Sequence, residues 1–160
     1  MASNTKPILV AAAAAAAVLI AILGGTITEL GPWYENLSRP EWQPPDWLFA
    51  PVWTTIFALA ALSGAIAWRR APTRATRDWI IILFAMNGCL NLLWSFLFFR
   101  MHRPDWALVE VGLLWLSVLM LIVSLRKVSG LSSLLLVPYL VWVSFAAVLN
   151  WKIVEMNGPF

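Results

Sequence analysis

Trp79-Ile-Ile-Ile-Leu-Phe-Ala-Met-Asn-Gly-Cys-Leu-Asn-Leu-Leu-Trp-Ser-Phe-Leu-Phe-Phe99 runs uncharged from Asp78 to Arg100. A helix of this length, rising about 1.5 Å per residue, crosses a hydrocarbon layer roughly 30 Å thick while satisfying its own backbone hydrogen bonds. A lipid-facing charge in mid-bilayer costs several kcal/mol, so the gaps between charges mark the other spans. They run from Ile8 to Thr28, Trp47 to Trp68, Trp106 to Leu125 and Val128 to Trp151, interrupted only by Glu110. The expected fold is all-α: a polytopic membrane protein, a bundle of five transmembrane helices forming a single domain over residues 1–160. A β-barrel is disfavoured because its strands alternate apolar and polar residues, and these runs are continuously apolar.

Composition agrees. Of 160 residues, 61% are hydrophobic and 12% charged, against roughly 25% charged in a soluble domain. The apolar run that follows Lys6 is longer than a signal-peptide core and is read as the first helix. The lone Cys89 lies inside a span, which rules out an intrachain disulfide and suggests a buried, inert thiol. The net charge of +3 reflects basic residues flanking helices rather than a nucleic-acid partner. Lys6, Arg69, Arg70, Arg74, Arg77, Arg126 and Lys127 fall on one side; Arg39, Arg100, Arg103 and Lys152 fall on the other. The excess favours a cytoplasmic N-terminus by the positive-inside rule. The bacterial inner membrane is the default location for such a helical protein, with the lipid bilayer as its solvent.

Trp47, Trp68, Trp79, Trp106 and Trp151 stand at span ends, where an indole anchors at the headgroups. Small residues point to close helix contacts: the run Ala11 to Ala17, and Ala85 with Cys89, which could serve a homodimer. Residues 29–46 form a connecting loop in which Pro32, Pro40, Pro44 and Pro45 forbid regular helix. Its Trp33, Tyr34 and Trp42 are costly to expose, so the loop reads either as a lid over the bundle or as an interfacial aromatic belt.

On the third helix Asn87, Asn91, Trp94 and Phe98 share one face. The two amides want partners, either across to another helix or on a ligand. Tyr139, Trp142, Ala146 and Asn150 form a stripe on the fifth helix, and Trp53, Phe57 and Ala61 on the second. Such stripes usually make core, but three of them beneath an aromatic loop outline a neutral pocket for a flat hydrophobic molecule. His102 is the only histidine, which leaves no donor set for a metal and no base for nucleophilic catalysis; no cofactor is implied. Glu110, one turn beyond Trp106, is a functional candidate by position, although a carboxylate at that depth can extend to the interface.

The pattern Trp33-Tyr34, Leu37, Pro40, Trp42, Pro44-Pro45, Trp47, Phe49, Pro51 and Trp53 resembles the signature of the TspO/MBR family, the tryptophan-rich sensory and translocator proteins. The segments Asn87 to Phe99 and Pro138 to Asn150 agree with it, so the resemblance covers nearly the whole chain in order. It implies a membrane sensor or translocator that binds porphyrin-type tetrapyrroles, with sterols and isoquinoline or benzodiazepine drugs as further ligands. By motif position Trp33, Tyr34, Trp53, Asn87, Asn91, Trp142 and Ala146 inherit the pocket role; Phe57 and Trp94 join them by spacing. For some bacterial members the resemblance also implies porphyrin degradation, which would rest on Trp53 and Trp142. A small transporter or scaffold is the third reading. Cholesterol-binding members carry a tyrosine followed closely by a basic residue, whereas here Val137 and Tyr139 precede only the distant Lys152, with Trp151 in the nearby aromatic place. That departure puts sterol binding in doubt and favours a tetrapyrrole.

Overall fold

A computed structural model describes the chain from Thr5 to Phe160; the side chains of residues 5–10, 12 and 13 lie outside that description. The expected contact surface Ala11 to Ala17 and the basic Lys6 fall partly or wholly among them. The elements are α1 (Thr5–Ile27), α2 (Pro32–Glu35), α3 (Phe49–Arg70), α4 (Arg74–Ser95), α5 (Pro104–Arg126), α6 (Gly130–Leu135) and α7 (Val137–Asn157). A 3-10 turn at Asp46–Leu48 leads into α3, and a π-helical turn at Phe96–Arg100 extends α4. No strand occurs among the described residues. Four helical units, Asp46–Arg70, Arg74–Arg100, Pro104–Arg126 and Gly130–Asn157, are long and apolar enough to cross a membrane, and α1 contributes the shorter apolar stretch Ala14–Ile27.

Local chemistry sets the boundaries. The Thr73 hydroxyl accepts from the Thr76 N–H at 3.1 Å and opens α4. Pro104 opens α5, where its missing N–H costs nothing. The span expected as one helix from Val128 to Trp151 is broken: Ser129 caps the short α6, and α7 starts afresh after Leu136. Pro138 is the cause, since it has no N–H to close the turn onto Leu134.

α5 is the central helix, with Ala107, Val111, Leu114, Val118, Leu121 and Leu125 all buried. It packs on α4 along one side and on α6 and α7 along the other, while α1 lies along α3 and touches α4. Around the bundle the order is therefore α3, α1, α4, α5, α7. The ring closes onto α3 chiefly through α6, where the buried Ser63 hydroxyl donates to the Ser132 carbonyl at 2.7 Å; α7 itself meets α3 through few residues, and hollows remain between these helices.

Trp47, Trp79, Trp106 and Trp151 are exposed at helix ends, as expected of anchors. Trp68 is instead half-buried beside a groove. Cys89, expected to be buried, lies on an exposed face of α4. Glu110 does not extend to the interface: it is 5% exposed, and neither carboxyl oxygen has a hydrogen-bond partner among the described residues.

Candidate functional site

The proline-rich loop is held by polar ties. Contrary to expectation, Pro32 does not forbid helix but opens the single turn α2, because its missing N–H costs nothing at a helix start; the Asn36 amide donates back to the Pro32 carbonyl at 2.8 Å. The Tyr34 hydroxyl donates to Asp46 Oδ1 at 3.0 Å, and Arg39 pairs with the same carboxylate at 3.1 Å while lying 4.6 Å from the Tyr34 ring centre. Burial, and next the Asp46 acceptor, push the Tyr34 phenol above the ordinary tyrosine range. Asn157, at the end of α7, clasps Ser38 twice: its Oδ1 accepts from the Ser38 N–H at 2.7 Å and its Nδ2 donates to the Ser38 carbonyl at 2.9 Å. Glu29 pairs with Arg100 and ties the start of the loop to the end of α4.

Beneath this loop lies a cavity of about 390 Å³ with mostly apolar walls. Trp53 and Phe57 of α3 stack on each other, with ring centres 5.4 Å apart. Trp142 of α7 stacks on Phe145 at 5.3 Å and meets Phe49 edge-on at 5.6 Å. Trp94 and Phe98 of α4 stack at 5.3 Å. The π-helical turn places Phe98 and Phe99 side by side, 4.8 Å apart, on the cavity side of α4. Gly24 and Gly25 of α1 contribute backbone and leave room.

Seven of the nine expected residues line this cavity: Tyr34, Trp53, Phe57, Asn91, Trp94, Trp142 and Ala146. Trp33 does not. It stands behind the wall, edge-on to Phe98 at 6.1 Å and stacked at 4.2 Å on His102, which adopts a left-handed backbone with φ 55°. Asn87 is also absent, because one turn of helix separates it from Asn91 and places it on a second hollow, together with Tyr139 and Ala61.

The amides serve the bundle as well as the cavity. Asn87 donates to the Ser117 hydroxyl at 2.8 Å, and Asn91 donates to the Tyr139 hydroxyl at 3.3 Å. Asn150 accepts from the Trp94 indole at 3.1 Å and donates to the Pro104 carbonyl at 2.8 Å, linking α4, α5 and α7. Lining residues passed over in the sequence include Phe49, Gln43, Asp46 and the glycine pair of α1. The glycine pair was a visible signal, being two adjacent residues without side chains at the loop end of an alanine-rich helix. Two lining residues carry buried polar atoms without a partner among the described residues, the Trp142 indole N–H and Gln43 Oε1. Asp46, the one charged residue lining the cavity among those described, is already paired with Arg39.

The sequence profile of the TspO/MBR family matches residues 11–156. The chain belongs to the TspO/MBR family. It is 38% identical to the tryptophan-rich protein TspO of Chlorobaculum tepidum, over 96% of this chain and 99% of that protein. It is 35% identical to protein CrtK of Rhodobacter capsulatus, over 83% of each chain. It is 32% identical to the translocator protein of Ovis aries, over 78% of this chain and 75% of that one. TspO/MBR membership together with the long apolar helices makes this an integral, multi-pass membrane protein.

Proposed function

We propose that this protein is a membrane sensor or translocator that takes a porphyrin-type tetrapyrrole into the cavity under the proline-rich loop. One observation carries the reading: indole and phenyl rings from α3, α4 and α7 converge with Tyr34 of the loop around one hollow whose single charge among the described residues is already paired. Such walls favour a large flat apolar ligand through burial and offset stacking. The Trp142 N–H and Gln43 Oε1 offer a donor and an acceptor to polar groups on that ligand once either side chain turns. Arg39 is held by Asp46 and Tyr34, which leaves it poorly placed for the macrocycle's carboxylates unless the loop opens.

The same proposal takes α1 as the fifth membrane span. Its 23 residues rise about 35 Å, enough to cross the bilayer beside α3 and α4. The excess of basic residues at the Arg69 to Arg77 end then places the N-terminus in the cytoplasm and the loop outside.

Absorbance titration with protoporphyrin IX in lipid nanodiscs tests the ligand. Saturable binding of one porphyrin per chain, weakened in the Trp53→Ala/Trp142→Ala double variant, is expected. Equal binding by that double variant would remove the site.

A further inference from the structure

The second hollow is an apolar groove of about 410 Å³ between α1, α3 and α4. The stripe Phe57, Ala61, Gly64 and Trp68 forms its α3 wall, and Ile80 with Phe84 its α4 wall. It lies in the other half of the bundle from the cavity under the loop, and the two share only the Phe57 ring and the partition it forms with Trp53.

From Phe57 to Trp68 the groove follows α3 for about 16 Å, close to the thickness of one leaflet of a hydrocarbon core roughly 30 Å across. At the Trp68 end stand four exposed arginines, Arg69, Arg70, Arg74 and Arg77, with Asp78 as the neighbouring acid. None of the four forms an ion pair among the described residues. Arg70 donates to the Ser129 hydroxyl at 3.1 Å, and the Arg77 guanidinium lies 6.0 Å from the Trp68 ring centre. A leaflet-long apolar slot therefore ends in an indole at headgroup depth and a surplus of unpaired positive charge.

We infer that this groove is a binding site for one anionic phospholipid. An acyl chain lies against Ala61, Gly64 and Phe84, Trp68 marks the glycerol level, and Arg69 and Arg77 take the phosphate. Ala61 and Gly64 keep the α3 wall low: a Cβ added at Gly64 would only reach ordinary contact with the Phe84 ring, at 3.4 Å, whereas a leucine there would extend into the slot. Guanidinium groups bind phosphate oxygens in pairs, and each basic residue near the surface strengthens attachment to anionic lipid. The site is separate from the tetrapyrrole cavity, so it stands or falls apart from that reading.

Native mass spectrometry of the detergent-purified protein tests it, with phosphatidylglycerol and phosphatidylcholine of identical chains added in turn. One phosphatidylglycerol per chain should persist with about tenfold preference over phosphatidylcholine. Arg69→Gln/Arg77→Gln, at exposed positions outside the packed interior, should lower phosphatidylglycerol to the phosphatidylcholine level. Ala61→Leu/Gly64→Leu should displace both lipids. Equal retention of the two lipids by the unaltered protein would overturn the inference, as would a preference that survives loss of the arginines. Lipid-free dimers that dissociate in the Ala61→Leu/Gly64→Leu variant would also overturn it by assigning the groove to a second copy.

Discussion

The indoles of Trp53 and Trp142 stand perpendicular, at 89°, with ring centres 6.4 Å apart. They belong to α3 and α7, whose contacts over the cavity are largely aromatic: Phe49 with Trp142 and Trp53 with Tyr139 join this edge-to-face pair in bridging the two helices. Replacing either ring with alanine should weaken porphyrin binding by about 1.5–3 kcal/mol, roughly tenfold to a hundredfold. Because the rings touch, the double variant should lose less than the sum of the singles. Quenching of the remaining tryptophans by protoporphyrin IX measures all three constants; strict additivity would deny that the rings form one wall.

Asn150 holds three helices through two hydrogen bonds, whereas Tyr139 accepts a single one from Asn91. Asn150→Ala strands the Trp94 N–H and the Pro104 carbonyl, each at about 1–3 kcal/mol. Tyr139→Phe should cost about 0.6–1.7 kcal/mol, the range for interhelical hydrogen bonds in lipid. Unfolding in sodium dodecyl sulfate should rank the asparagine variant as the weaker protein, and the reverse order contradicts the network described.

Closure of the loop rests on Asp46, which accepts from Tyr34 and pairs with Arg39, and on the Asn157 clasp of Ser38. Asp46→Ala and Asn157→Ala should each speed ligand release severalfold with little change in the entry rate, as measured by stopped-flow fluorescence. The Tyr34 phenol is raised in the folded protein, so its contribution is fully present below the unfolded value of about 10 and is lost as pH climbs past it. Release rates should therefore stay flat with pH through neutrality and increase only in strong alkali. A rise between pH 6 and 8 would show that some other group controls the loop.

Glu110 is buried on the central helix with neither oxygen partnered among the described residues, and it does not line the cavity. Glu110→Leu removes an uncompensated polar group and should stabilise the fold by about 1–3 kcal/mol while leaving porphyrin affinity unchanged. A destabilised variant would reveal a partner for that carboxyl.

The spans were legible because a charge in lipid is so costly that charges mark their ends. Residue spacing gave the angular position of side chains but not their depth. Asn87 and Asn91 share a face of α4, yet the rise of about 6 Å between them carries one to the groove and the other to the cavity. Trp33 and Tyr34 are adjacent, and only the fold shows which turns inward: Tyr34 reaches Asp46 while Trp33 stacks on His102. Pro138 did announce the break before α7, but continuous hydropathy masked it, because a broken helix is as apolar as an intact one.

Ala146 lies on the cavity wall one turn beyond Trp142, where a larger side chain would project into the hollow. Titration of an Ala146→Trp variant with protoporphyrin IX, beside the unaltered protein in the same nanodiscs, asks whether the porphyrin occupies this cavity. The variant should fold and unfold as before yet show no saturable shift of the porphyrin's main absorption band. Undiminished one-to-one binding by the filled variant would place the ligand outside this cavity and rule it out as the porphyrin site.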